Sequence, residues 1–343
     1  MKLFRYAFLV LFLLCSGCGL LSDDSEPEPG SRNYIWVTED VNGPFGFIYD
    51  FWGTAHNSLW VAASSDLWYY NGEEWTEVEE NQDFHCGTFE SIFGFTKDDI
   101  WVGCNDGRIH HFDGTSWKPS FRYDKEEFYL SSVDGIWGTS SDDMYATGYF
   151  VYKDTSGIYS FLLHYDGRRW QEVLITDFEA QFQRVRKDHN VYLYGLKEGP
   201  EQGGATDSLA VYSLGFKGFI QEFIEPRSST LRMNSVDDKI YYVIENTLYR
   251  LDYPGLTEVI SFPESTEVYD ILGRHKNDLI FPTNDGLMHY NGKDLEYIYD
   301  IELELFSGYR TFVVEDEIFV LIENIDQNVS RWELQRGILN ATE

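Results

Sequence analysis

Apolar and aromatic residues in this chain come in short runs closed by turn-forming residues, and the runs recur as a set. One set reads Phe51-Trp52-Gly53-Thr54, Ser58-Leu59-Trp60-Val61, then Leu67-Trp68-Tyr69-Tyr70-Asn71-Gly72-Glu73-Glu74-Trp75. The next reads Ile92-Phe93-Gly94-Phe95, Asp99-Ile100-Trp101-Val102-Gly103, then Ile109-His110-His111-Phe112-Asp113-Gly114-Thr115-Ser116-Trp117. A third has Ile136-Trp137-Gly138-Thr139, Asp143-Met144-Tyr145 and Leu163-His164-Tyr165-Asp166-Gly167-Arg168-Arg169-Trp170, and a later one Ile271-Leu272-Gly273, Asp278-Leu279-Ile280 and Met288-His289-Tyr290-Asn291-Gly292. Outside the first residues no helical stripe of period 3.6 is present, whereas short aromatic and β-branched runs between turn signals are the signature of strands.

Each set decomposes into four strands. The first ends near Trp-Gly or Phe-Gly, the second carries the Asp-aliphatic-aromatic triplet, the third ends before Asn-Gly or Asp-Gly, and the fourth starts at the following Trp. Asn-Gly and Asp-Gly predict a two-residue type I′ hairpin between the last two strands. Weaker copies of the second strand stand at Asn190–Gly195, Lys239–Val243 and Glu317–Leu321. Gly53 and Val314 then mark the ends of six periods of about 43.5 residues. Four-stranded units near that period stack radially, because radial closure leaves only short edges. The last unit stops after a third strand around Val329–Gln335, and a spare strand, Asn33–Thr38, is expected to complete it. The expected fold class is therefore all-β: a seven-bladed β-propeller of four-stranded antiparallel blades, its ring closed by an N-terminal strand. The elements resemble bacterial β-propeller repeats of the galactose-oxidase and sialidase-like (kelch-like) architectures, over residues 51–175 and 270–295. That resemblance implies a fold and carries no activity.

The N-terminus changes the picture. Lys2 and Arg5 precede an apolar run from Ala7 to Leu14, which is too short to span a bilayer and has the form of an export signal. Leu14-Cys15-Ser16-Gly17-Cys18 resembles the bacterial lipobox, with Cys15 where an aliphatic residue is usual. That resemblance implies a lipoprotein signal peptide over 1–17, lipidation (palmitate) of Cys18 and, because Gly19 is not Asp, placement in the cell outer membrane. Asp23, Asp24, Glu26 and Glu28 with Pro27 and Pro29 make residues 18–32 a flexible acidic tether, leaving 33–343 as the propeller.

The chain carries 26 Lys+Arg against 58 Asp+Glu. Losing Lys2 and Arg5 with the signal leaves 24 against 58, a net of −34. That charge argues against nucleic acid and against a peripheral grip on anionic lipid. Cys86 and Cys104 remain in the body, and an oxidising exterior permits them to pair. No ligand-type spacing accompanies their neighbour His85 to suggest zinc.

Candidate chemistry is sparse. His110, His164 and His289 occupy one repeat position, as do Trp75, Trp117 and Trp170, and Trp60 and Trp101. Recurrence reads as packing, since a site residue should break the pattern. Asp113 and Asp166 sit in tight turns, and their adjacent Asp and Gly depart from the sialidase Asp-box. Arg184, Arg186, Arg232 and Arg274 are arginines able to clamp a carboxylate. Pattern-breaking loops are expected at Phe150–Gly157 and Glu198–Asp207, sharing a rim with Asp83–Glu90 and Arg122–Glu127. No catalytic residue, metal or cofactor is assigned. The expected role is a non-catalytic binding or scaffold lipoprotein at the cell envelope, monomeric, with a protein or glycan partner. The alternative is a secreted carbohydrate-active enzyme, a glycoside hydrolase or lyase, which a converging cluster of non-repeating Arg, Tyr, Asp and Glu would favour.

Overall fold

The computed structural model describes residues 30–41, 45–199, 207–301, 306–326 and 329–340. The signal peptide, Cys18 and most of the tether lie outside them. Every described element is a strand. The first, β1 (Tyr34–Val41), is set apart from its sequence neighbours. Then come β2 (Ile48–Ala55), β3 (Ser58–Ala63), β4 (Leu67–Tyr70) and β5 (Trp75–Glu77), paired antiparallel in that order. The same order builds β6 (Phe89–Thr96), β7 (Asp99–Cys104), β8 (Arg108–Phe112) and β9 (Trp117–Arg122).

The third and fourth sets run together. β10 (Phe128–Ser140), β11 (Asp143–Tyr152), β12 (Ile158–Tyr165), β13 (Trp170–Lys187), β14 (Val191–Lys197), β15 (Ser208–Leu214) and β16 (Phe219–Pro226) form one seven-stranded sheet. The expectation of separate four-stranded sheets throughout fails here. No turn interrupts the 18 residues of β13, so its first part pairs with β12 and its last part, from Ala180, with β14. Two further four-stranded sheets follow: β17 (Leu231–Val236), β18 (Lys239–Ile244), β19 (Thr247–Asp252) and β20 (Gly255–Ser261), then β21 (Leu272–His275), β22 (Asp278–Thr283), β23 (Gly286–Tyr290) and β24 (Leu295–Asp300). The last sheet is β25 (Phe306–Val314), β26 (Glu317–Asp326) and β27 (Val329–Leu339), with β1 added at its edge from Tyr34↔Leu339 to Val41↔Trp332. The fold is a β-propeller of four-stranded antiparallel blades.

The core lies between consecutive blades. Trp52, Trp60 and Leu67 pack on Phe89, Ile100 and Val102. Trp101 and Ile109 pack on Val133, Met144 and Phe161. Phe319, Leu321 and Trp332 of the last sheet pack on Phe51, Val61 and Trp68 of the first. The middle strands of a blade therefore bury both faces, which explains why β3 is buried along its whole length and why the sequence shows runs rather than strict alternation, while outer strands such as β5 and β9 stay largely exposed.

Two turn types differ from expectation. The Asn-Gly and Asp-Gly turns are four residues long and only the glycine has positive φ, 96° at Gly72 and 83° at Gly114. The preceding side chain explains this. Asn71 Oδ1 accepts from Glu73 N and Glu74 N, both at 2.9 Å, and Asp113 Oδ1 does the same for Thr115 N at 3.1 Å and Ser116 N at 3.0 Å. A side-chain-capped turn leaves the Asn or Asp itself at negative φ. Consecutive positive φ values occur instead at Asp237 (51°) and Asp238 (57°), between β17 and β18.

Candidate functional site

One face of the propeller gathers the loops. After each second strand the chain bonds to the segment that opens the innermost strand: Ser64 N to Phe47 O at 3.0 Å, Asn105 N to Thr88 O at 3.1 Å, Lys153 N to Glu127 O at 2.9 Å, Glu198 N to Glu179 O at 3.1 Å, Glu245 N to Thr230 O at 2.7 Å, and Asn284 N to Glu267 O at 3.0 Å. The expected rim is thus built, with 83–90 and 122–127 on it. Of the first expected insertion, Phe150 is buried within β11, and only the turn between β11 and β12 projects. Of the second, residues 200–206 lie outside the described residues, and Asp207 anchors its far end through Gly199 N at 3.1 Å and Arg227 at 3.1 Å. Large apolar side chains stand exposed at the starts of the innermost strands: Phe47 is 64% exposed and Tyr129 74%.

Inside this rim an axial cavity of about 650 Å³ is lined by the innermost strands. Strand register identifies its unusual residues. The position opposite the large apolar residue of the second strand is Trp52 (facing Trp60), Phe93 (facing Trp101), Trp137 (facing Tyr145), Leu272 (facing Ile280) and Phe312 (facing Phe319). On β13 it is Arg186, facing Tyr192, and on β17 it is Asn234, facing Tyr241. These two break the pattern and bond to each other, Arg186 Nε donating to Asn234 Oδ1 at 2.7 Å. Two residues earlier on the same strands stand Asp50, Ser91, Gly135, Arg184, Arg232 and Arg310. Gly135 is required there, because a Cβ would lie 2.4 Å from Gln183 O.

The charges are unevenly paired. Arg184 holds Asp270 in a two-pronged bond, Nη1 to Oδ1 at 2.6 Å and Nη2 to Oδ2 at 2.8 Å, and Asn234 Nδ2 adds a third contact at 3.1 Å. Burial alone would raise the Asp270 carboxyl, but Arg184 more than offsets it and holds it below the usual range. Asp50 is raised by burial despite accepting from Phe51 N at 2.9 Å and Ile92 N at 3.0 Å. Among the described residues neither Arg186 nor Arg310 makes an ion pair. Arg310 donates to Ile48 O at 2.9 Å and Tyr309 O at 3.2 Å, and Arg186 to Val185 O at 2.7 Å. Burial, with Arg184 beside it, pushes Arg186 down to about 9. Across the cavity stand Glu90 and Asp134, again without a cationic partner among the described residues. Burial, then the neighbouring Asp134 charge, pushes Glu90 up to about 7.

The other candidates are placed elsewhere. The recurring histidine is His111 rather than His110. His111 meets Asp99 at 2.8 Å, His164 meets Asp143 at 2.9 Å and His289 meets Asp278 at 2.7 Å, each joining the third strand of a blade to its second. His110, one residue out of phase, turns to His85 O at 3.1 Å beside Cys86 and Cys104. The sulfurs of those cysteines meet, with Cα atoms 5.3 Å apart. Trp60, Trp101 and Trp170 are buried between blades, and Trp75 and Trp117 pack against the same clusters. Of the four singled-out arginines, only Arg184 and Arg186 reach the cavity. Arg232 turns to Tyr269 O at 3.1 Å, and Arg274 to Asp278 at 2.7 Å. Arg310, Asp50, Asp270 and Glu90 were not singled out from sequence. The signal for the first three was their shared position two residues before the Trp-Gly site.

No protein-family model and no curated protein matches this chain. Solved structures do. One titled "YCF48 bound to D1 peptide" aligns with TM-score 0.60 at 15% identity over 92% of this chain and 99% of that one. The WD40 domain of Neurospora crassa Pan2 aligns with TM-score 0.61 at 9% identity, over 92% and 99%. An oligogalacturonate lyase in complex with manganese gives TM-score 0.57 at 10% identity, over 92% and 99%. At these identities the likeness is one of fold.

Proposed function

We propose that this protein is a binding propeller that presents its loop-rich face and axial cavity to a segment of another protein. The observation that carries the reading is the unneutralised cavity: opposed charges line one space yet form a single ion pair, Arg184 with Asp270, among the described residues. A purely structural network would pair them, because an isolated buried charge is costly. Exposed Phe47 and Tyr129 at the mouth supply apolar contact, and rigid rings with loops on one face suit recognition. A peptide complex among the propellers of like fold agrees with this reading.

The unit count belongs to the same proposal. Glu179 takes the place in β13 that Phe47, Thr88 and Glu127 take before their innermost strands. Dividing β13 there gives seven blades, and β1 on β27 supplies the strand that closes the ring. The lipid on Cys18, the acidic tether and outer-membrane residence complete the picture. Gly30 and Arg32 already rest on the body, Gly30 N on Asn277 O at 2.9 Å and Arg32 on Asp294 at 2.6 Å.

Selection of a displayed random-peptide library on the full chain tests the binding role. Enriched peptides should lose at least about tenfold in affinity against Tyr129→Ser with Phe47→Ser, the loss of two interface aromatics, with melting unchanged. A library that yields no enrichment, or peptides indifferent to both changes, would overturn it. The carbohydrate-active alternative keeps one observation in its favour, the convergence of non-repeating Tyr49, Glu90, Asp134, Arg186 and Arg310. Release of reducing or unsaturated ends from acidic polysaccharide, lost in Glu90→Gln, would replace the binding reading with that one.

A further inference from the structure

The axial cavity gathers three guanidiniums among its carboxylates. On a chain with net charge −32, Arg184, Arg186 and Arg310 line this cavity together with Asp50, Glu90, Asp134 and Asp270, and Asp270 is fully engaged by Arg184. Arg186 stands where five other blades carry an apolar side chain, so blade packing does not account for it. Its fork is fixed on one side by Asn234 and Val185 O, and Trp137 covers its face at 5.8 Å. Arg310 is fixed likewise by Ile48 O and Tyr309 O. Fixed guanidiniums with donors left over are pre-organised for a planar anion.

We propose that this cavity is a carboxylate-binding site, in which Arg186 and Arg310 receive the acidic group of a peptide segment held at the rim. The inference rests on the binding role above and names the chemistry that enters the channel. The opposite wall sets its pH response. Glu90 faces Asp134 from β10, Tyr49 from β2 and Tyr149 from β11. As Glu90 ionises, negative charge accumulates around the site and the anion is held less well.

The test uses the full chain with acetyl-Gly-Gly as carboxylate probe, its C-terminal amide, galacturonate and inorganic sulfate, by calorimetry and two-dimensional NMR. Acetyl-Gly-Gly should bind and the amide should not. Arg186→Gln and Arg310→Gln should each weaken binding at least about tenfold, the worth of one charge-assisted contact. Arg232→Gln, whose guanidinium lies outside the cavity, should leave it unchanged. Binding to the unaltered chain should fall several-fold from about pH 6 to about pH 8, where the probe stays ionised, and Glu90→Gln should abolish the fall. This arm stands even if the arginine variants do not fold. Equal binding of acid and amide, indifference to both arginine changes, or a pH-independent affinity would overturn the site. Galacturonate or sulfate binding without acetyl-Gly-Gly would overturn the peptide assignment. Probe binding that persists while the library yields no rim-dependent peptide would sink the broader role and spare the site.

Discussion

The imidazole Nε2 of His289 lies 2.7 Å from Asp278 Oδ1, and Arg274 holds the other oxygen at 2.7 Å, with His289 fully buried. The same His–Asp link in the earlier blades is more open, with side chains about a third exposed at His164. The blade built on β22 should therefore suffer most from its loss. Asp278→Ala leaves a buried guanidinium unpaired and should cost about 3 kcal/mol, while His164→Ala should cost about 1 kcal/mol. Urea unfolding checks both. Burial would raise the Asp278 carboxyl, but His289 and Arg274 hold it below the ordinary 3.8. Its contribution is present above pH 3.8 and is lost as pH falls through the lower folded value. Asp278→Asn should accordingly flatten the acid limb of the stability curve.

Glu90 has the opposite sign. Its folded value of about 7 stands above the ordinary 4.5, so the folded chain holds the proton more tightly than the unfolded one. It carries no penalty below pH 4.5, and the penalty grows until about 7. Glu90→Gln should gain on the order of 1 kcal/mol at pH 8, after allowance for its partial exposure, and nothing at pH 4. Equal gains at both pH values would show that burial of the side chain, not its charge, sets the effect.

How far the sequence could be read follows from which residues repeat. Trp52-Gly53, Asp99-Ile100-Trp101 and Leu163-His164-Tyr165-Asp166-Gly167 recur because every blade needs the same contacts, so the four-strand unit and the N-terminal strand at 33–38 were legible. Two readings fell short. The histidine register slipped by one at His110, although spacing to the turn already marks His111, two residues before Asp113 as His164 is before Asp166 and His289 before Asn291, and His111 is the one that pairs with Asp99, at 2.8 Å. The cavity was half legible. Arg184 and Arg186 stood out as arginines in an acidic chain, but Asp50, Asp270 and Arg310 become a ring only when strand register aligns them, across a region where the repeat is weak and β13 runs without a turn. Asp237–Asp238 lacks glycine, so its consecutive positive φ values had no local signature.

Cys86 and Cys104 bracket the entry of β6 and the end of β7, 18 residues apart and directly beneath the rim. We expect them to be oxidised in the folded protein, shown by intact mass before and after alkylation. Closing a loop of this size contributes about 3 kcal/mol on the chain-entropy model. Replacing both by Ser should lower the melting midpoint by several degrees without altering acetyl-Gly-Gly binding, since neither lines the cavity. Full alkylation of the untreated protein would sink this expectation.

The N-terminal strand supplies the last prediction. β1 pairs with β27 along eight consecutive positions, and Trp36 spreads over the sheet beyond it. Its Nε1 donates to Ile298 O at 3.1 Å, and its ring lies 4.3 Å from that of Tyr299. Gly337 makes this possible, because a Cβ there would sit 2.8 Å from the Trp36 ring. Without β1, β27 presents an unpaired edge, which is a template for association between chains. Gly337→Val and Trp36→Ala should each cost about 2 kcal/mol, less than a fully buried Trp because Trp36 is half-buried. Both should speed hydrogen exchange first at residues 34–41 and 332–339, where the ladder opens, while β7 and β18 stay protected. A chain starting at Phe45 should run as a mixture of monomer and larger species, and a synthetic peptide of residues 30–41 should restore the monomer. Uniform loss of protection, or a truncated chain that stays monomeric and melts unchanged, would mean that β1 adorns the sheet without closing it.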